Sequence, residues 1–314
     1  IGDQFHRTAK QGCARSDLAE DVGENRESVH AHQRRTMRID VSLDELKKGY
    51  VRATLRKMVQ PSPHRVTPAC RLAAPGRCGG CPLMHISAFA QHEAKQDWVM
   101  RAVRHSGAEV LPLVTPTPPL GYRIRAKLGV ERGQLSFSLS RSNERQLVPS
   151  CAVLRSELSE VLFGPLDPLL SVVGTGGTVA ALCGTSHQKP AVHLAVELGP
   201  SGQRAKAEKA LKALVDSGVL AGAVLLDQVF GEASLALDNE GVPLSASADG
   251  FAQASEAGHT VLPKLVRDAV GQGFAKPPAV LELYAGSGNL TRALCSVASQ
   301  VVAIEGEPRA AARL

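Results

Sequence analysis

The chain has 314 residues, 44% hydrophobic and 21% charged, with a formal net charge of +6 and a pI near 9.0. That length suits two or three domains, and the 4% aromatic share leaves Ala, Val and Leu to fill the core. The sequence holds no run of about 18 apolar residues, so no membrane-spanning helix is expected, and no basic-then-apolar leader pattern either.

In chain order, residues 1–36 are polar, charged and without periodicity, which predicts disorder or a segment outside the fold. The opening on Ile1 rather than Met reads as a truncated or processed start. From Met37 to Val59 the pattern is strand-like: "MRIDVSL", a turn at "DELKKGY", then "VRATLRKMV", ended by Pro61 and Pro63. Lys47, Lys48, Arg52, Arg56, Lys57 and Arg65 form a basic stripe with no acid among them, able to neutralise phosphates. Gly, Pro and Cys make 70–84 a loop. A helix is predicted over 87–105, closed by Gly107, and Pro112, Pro116, Pro118 and Pro119 mark a linker. "YRIRAKLGV", "ERG" and "QLSFSLS" read as a hairpin. "AVHLAVEL" and "GAVLLDQVF" read as strands flanking an amphipathic helix over 203–216. From Ala279, "AVLELY", "AGSG", "NLTRALCSVA" and "QVVAIE" spell strand, glycine turn, helix and strand, the opening of a doubly wound sheet.

That last unit is a candidate nucleotide site. Gly286 and Gly288 let the backbone adopt conformations closed to other residues and let a ligand approach. Glu305 follows Gly286 by 19 positions, where a carboxylate can accept from ribose hydroxyls. Thr291 stands where a dinucleotide fingerprint needs its third glycine, which argues against NAD or FAD and favours S-adenosylmethionine, a ligand without pyrophosphate. No G-K-[ST] follows, so a Walker loop is excluded, and the glycines around Ser287 have the wrong spacing for a nucleophile elbow.

Of seven cysteines, Cys70, Cys78 and Cys81 cluster in "CRLAAPGRCGGC", and Cys151 in "LVPSCAVL" can supply a fourth ligand. An odd count without a leader favours a reduced, cytoplasmic setting and a metal site, either zinc or [4Fe–4S]. Cys13, Cys183 and Cys295 read as incidental, the last two as core. The spacing does not fit the C-x3-C-x2-C triplet of a radical enzyme.

Taken together, "KKGYVRATLRKMVQPSPHRVTPAC", "CGGCPLMH", "GYRIRAKLGV", "VPSC", "DGFAQAS" and "LELYAGSGNLT" followed by "AIEGEP" resemble, in order, the TRAM-domain, iron–sulfur RNA (uracil-C5)-methyltransferases of the 23S ribosomal RNA type. The resemblance implies an α+β and α/β multidomain chain. Its parts are a partial OB-like TRAM barrel over 37–68, a central α+β iron–sulfur domain over 69–245, and the start of a Rossmann-like methyltransferase domain over 246–314. In the family the helix over 87–105 packs on that last domain. The resemblance implies a [4Fe–4S] cluster on Cys70, Cys78, Cys81 and Cys151, although the Cys70–Cys78 interval exceeds the family's usual one. It implies that Gln253, Tyr284, Asn289 and Glu305, beside Gly286 and Gly288, contact S-adenosylmethionine. Read on their own, Gln253 is equally a loop residue, Asn289 a helix N-cap and Tyr284 a core aromatic.

The implied reaction is methylation of uridine C5 in RNA, ribosomal RNA before tRNA; no membrane partner is expected, and the oligomeric state is left open, with a monomer expected. A cysteine adds to C6 and a base removes the C5 proton. Both groups are expected beyond Leu314, so the chain alone is expected to be inactive. The alternative is a non-catalytic RNA-binding module with a structural metal site.

Overall fold

The computed structural model describes residues 37–47, 50–74, 76–115, 118–140, 142–239 and 242–314. The expectation for 1–36, Cys13 within it, and Lys48 and Pro116 fall outside these residues. The chain divides into two compact units, whose described residues are 37–67 with 85–90, and 68–84 with 91–314.

The first unit is built on one hairpin. β1 (Arg38–Lys47) and β2 (Tyr50–Gln60) pair antiparallel from Arg38↔Gln60 to Lys47↔Tyr50. Strand β1 runs on through "DELK", where the sequence predicts a turn. Cross-strand polar pairs explain the extension: Thr54 donates to Asp44 at 2.7 Å, and Arg52 pairs with Glu45 at 3.5 Å. Val51 is buried, whereas Leu43, Leu46, Leu55 and Val59 are exposed. Residues 64–66 bridge back to 85–87, with Val66 N donating to His85 O and Ser87 N to His64 O.

The second unit holds a nine-stranded sheet. Its strands are β3 (Arg125–Glu131), β4 (Gln134–Ser138), β5 (Arg145–Leu147), β6 (Thr178–Ser186), β7 (Lys189–Glu197), β8 (Gly222–Leu225), β9 (Gln228–Gly231), β10 (Leu235–Asn239) and β11 (Val242–Ala246). The path runs β5-β4-β3-β6-β7-β8-β9, while β10 joins β6 at Ala236↔Thr185 and pairs with β11. Pairing is antiparallel except for β7 and β8. A parallel pair needs a crossover, here α4 (Arg204–Asp216), the predicted amphipathic helix, which buries Ala207, Leu211 and Leu214 at helical spacing. α1 (Ala88–Ala102), of which 91–102 fall in this unit, α2 (Ser156–Leu162) and α3 (Asp167–Val173) complete this part. Leu158, Leu162, Leu169 and Val173 of α2 and α3 lie in the core with Leu128, Leu182 and Leu194 of the sheet. The largest fully buried side chains are Leu and Ile124, as the aromatic-poor composition requires.

Three local expectations change. α1 stops at Ala102 rather than 105, because the Ser106 hydroxyl and N–H both turn back to Val103 O, a local alternative to helix. Gly107 is left-handed, at φ +70, but lies in the turns beyond. "GAVLLDQVF" is a hairpin rather than a strand, with Leu225 opposite Gln228 and Leu226 turned at φ +57.

The remaining elements position the candidate nucleotide site. α5 (Glu256–Gly273) is capped by Ser255, whose hydroxyl accepts from Gly258 N at 3.0 Å. β12 (Ala279–Leu283), α6 (Asn289–Cys295) and β13 (Gln300–Ile304) form the expected βαβ unit, β12 and β13 pairing parallel from Ala279↔Gln300 to Leu283↔Ile304. α7 (Pro308–Ala311) closes the chain, its first amides held by the Glu307 carboxylate. Among the described residues no helix is long and apolar enough to cross a membrane.

Candidate cofactor turn and thiol cluster

The turn between β12 and α6 is folded by its glycines and fastened by two carboxylates. Gly286 sits at φ +62 and Gly288, which caps α6, at φ +86. A side chain on Gly286 would meet nothing within 4 Å, so this glycine is needed for its backbone and leaves the turn open for a ligand. The Glu305 carboxylate, at the end of β13, accepts from Gly286 N at 2.7 Å with one oxygen and from Glu307 N at 2.7 Å with the other. The amides of Glu307 and Gly286 hold Glu305 below the usual carboxylate range. Glu282 on β12, almost fully buried, accepts from the Thr291 hydroxyl at 2.6 Å. The two ends of the turn are thereby stapled together. Thr291, absent from the expected site, has a function there that a third glycine could not serve.

Asn289 is the first residue of α6 rather than its cap, and its Nδ2 donates to His259 O at 3.3 Å. The acceptor is free for a definite reason. In a helix, His259 O would take the N–H of residue 263, but that residue is Pro263 and has none. A proline inside α5 therefore leaves a carbonyl that joins the first turns of α5 and α6.

Tyr284 stands at φ +60 and is 91% exposed, which overturns its reading as a core aromatic. Its left-handed backbone costs a non-glycine residue about 1–2 kcal/mol. Gln253 is half-buried in an irregular stretch just before Ser255, anchored where Ile124 N donates to Ala254 O at 2.8 Å. No hydrogen bond joins the Gln253 side chain to the turn.

The cysteine loop is fastened to the hairpin of β4 and β5. Cys78 bridges to Leu139, Gly79 N donates to Ser138 O, and Ser140 N donates to Arg77 O. A Cβ on Gly79 would lie 3.0 Å from the Ser140 Cα, so the backbones need glycine to approach this closely. Cys70, Cys78, Cys81 and Cys151 are all half-buried free thiols. They are near enough to act on one another electrostatically. Burial pushes the Cys81 thiol up, Cys151, Cys78 and Cys70 add to the rise, and Arg123 opposes it. Burial also raises Cys151, against hydrogen bonds from the amides of Val153 and Leu154. Among the described residues, no three His, Cys, Asp or Glu side chains close around a single ion.

The other cysteines divide. Cys183 is fully buried and pushed up to about 11 by burial, an inert core thiol as expected. Cys295 is exposed at the end of α6, which corrects its reading as core. The seven residues of that helix place it about 10 Å along the axis from the glycine turn. In the first unit, Arg52, Arg56, Lys57 and Arg65 are exposed.

No protein-family model matches the chain. Two curated relatives are both called 23S rRNA (uracil(1939)-C(5))-methyltransferase RlmD. The one from Edwardsiella ictaluri is 28% identical over 86% of this chain and 62% of its own length. The one from Klebsiella pneumoniae is 30% identical over the same shares. The chain thus spans less than two thirds of the length of these relatives. Among solved structures, the Pyrococcus abyssi tRNA (uracil-54, C5)-methyltransferase in complex with S-adenosyl-L-homocysteine matches with a TM-score of 0.61 at 15% identity, over 87% of this chain and 67% of that one. That likeness shows a shared mixed α/β fold with a large mixed sheet. The ordered motifs and the two curated relatives together make the chain similar to RNA (uracil-C5)-methyltransferases over most of its length.

Proposed function

We propose that this chain contributes the S-adenosylmethionine pocket and an iron–sulfur site to an enzyme that methylates C5 of uridine in RNA, ribosomal RNA in particular. The observation that carries this reading is the Glu305 carboxylate, held ionised at the end of β13 and 2.7 Å from Gly286 N. The cofactor, when bound, supplies an electrophilic methyl group. Glu305 has lone pairs left for ribose hydroxyls after accepting from two amides. Gly286 leaves the space above the turn open, and the exposed Tyr284 ring is available to cover an adenine face. Gln253 stands three residues before α5, the helix whose first turn Asn289 joins to the glycine turn.

The four half-buried thiols, near enough to act on one another, suit a [4Fe–4S] core, which takes four cysteine thiolates. A cytoplasmic setting would keep them reduced. The exposed Arg52, Arg56, Lys57 and Arg65 suit RNA phosphates, in keeping with the TRAM-like role of the first unit.

Calorimetric titration of the 314-residue chain with S-adenosylhomocysteine tests the reading, with micromolar binding expected. Binding of a ribosomal RNA fragment without any binding of S-adenosylhomocysteine would instead establish the non-catalytic RNA-binding module. The uridine nucleophile and base are assigned to no described residue, so this chain alone is expected to form no 5-methyluridine, as mass spectrometry of incubated RNA would report.

A further inference from the structure

Arg123 is the residue between the two sites that neither uses. Its main chain is fixed on both sides: N donates to Val153 O at 2.8 Å, and O accepts from Arg155 N at 3.0 Å. It forms bridges with Leu154 and with Ser255. Cys151 lies three residues before Leu154, at the start of a turn closed by Leu154 N donating to the Cys151 carbonyl. The Arg123 side chain is half-buried, and its Nε–H is shielded from solvent with no acceptor. An arginine Nε carries its hydrogen at every accessible pH, and a buried donor without an acceptor is costly and rare. The pairing of Arg123 N with Val153 O sets this arginine in register two residues from Cys151, and its charge reaches Cys81.

We propose that Arg123 is the hydrogen-bond donor and counter-charge of the inorganic centre held by Cys70, Cys78, Cys81 and Cys151. The inference rests on the iron–sulfur reading above. A cubane on four thiolates carries net negative charge, and reduction adds one more electron. A fixed guanidinium beside it stabilises the reduced form more than the oxidised one. Hydrogen bonds to the sulfurs and nearby charge are the means by which a protein sets the potential of such a centre. The centre in turn supplies the acceptor that the folded chain lacks for Nε–H.

The test uses the full 314-residue chain, reconstituted without oxygen with iron and sulfide, and reads the midpoint potential by protein-film voltammetry. Arg123→Met keeps the bulk and removes charge and donors. It is expected to shift the one-electron equilibrium about tenfold toward the oxidised form, about 59 mV lower. Arg123→Lys keeps the charge without the Nε donor and is expected to fall between Met and wild type. Arg77→Gln removes an exposed arginine next to Cys78 and is expected to leave the potential where it was. A loaded Arg123→Met variant with the wild-type potential overturns the assignment. Should that variant not load, Arg123→Lys decides alone: a potential equal to wild type overturns the assignment and a lowered one sustains it. A wild-type chain that takes up no iron–sulfur centre overturns the underlying reading and the inference together, a result told apart because it is read on the unsubstituted protein.

Discussion

The glycine turn and the cysteine loop are both candidate sites in the same unit, but they are finished to different degrees. At the turn, Glu305 holds Gly286, Glu282 holds Thr291, and Asn289 holds the carbonyl that Pro263 cannot pair. At the cysteine loop the backbone is fixed by the bridge at Cys78 and the glycine approach at Gly79, yet the thiols do not close and Arg123 keeps an unpaired donor. The difference follows from the ligands. A pocket for a nucleoside can be preorganised by neutral and charge-assisted hydrogen bonds that satisfy one another in its absence. A thiolate site cannot, because four thiolates repel and burial favours their protonated forms.

The sharpest attempt to break this contrast is Cys81→Ser. It is expected to abolish iron uptake on reconstitution, measured as iron per chain, while calorimetry shows S-adenosylhomocysteine affinity unchanged. Equal loss of both would mean that the two sites are not independent. Next is Glu305→Ala, expected to weaken S-adenosylhomocysteine at least tenfold, about 1.4 kcal/mol, with iron content unaffected. An affinity equal to wild type would remove the carboxylate from the site. Smaller still is Asn289→Ala, which leaves His259 O unpaired and is expected to cost about 1 kcal/mol in urea unfolding. In a Pro263→Ala background the helix can pair that carbonyl itself, so the same substitution should cost measurably less. A double-mutant cycle without coupling would dismiss the proline account.

The smallest effects are those of pH. Cys81 and Cys151 are raised, and a thiol must lose its proton to ligate, so iron loading should increase as pH rises above neutrality. Glu305 is depressed below its ordinary 4.5, so its hold on the turn is complete above that value and is lost as pH falls through the lower folded value. Buried His193 and His259 are both lowered from 6.5 by burial, so the fold favours their neutral forms. Their contribution is present above 6.5 and declines as pH falls from there toward their folded values, visible as a falling melting temperature.

Legibility followed the range over which each feature is determined. The β12–turn–α6–β13 unit could be read because an apolar run, two glycines and a second apolar run are each local signals. β6 could not: it is buried on both faces, so "TVAALCG" has no alternation to read. α5 was equally hidden, since Pro263 and three glycines look like breakers although Ser255 caps a continuous helix. Leu226 turns at φ +57 with no residue signal for it, which is why β8 and β9 read as one strand. At the candidate site the glycines, Glu305 and the four cysteines were legible. Thr291, Glu282, His259 and Arg123 were not, because each matters only through a partner distant in sequence.

The sequence alone determined the local backbone at the turn, the basic hairpin, the thiol spacing and the family resemblance. These depend on sterics and composition within a few residues. Tertiary structure alone decided that a carboxylate 19 positions away would meet Gly286 N, that a proline's orphaned carbonyl would face Asn289, and that the Nε–H of Arg123 would be shielded without an acceptor. Such meetings are set by which apolar faces pack together, and packing is a property of the whole unit rather than of any segment.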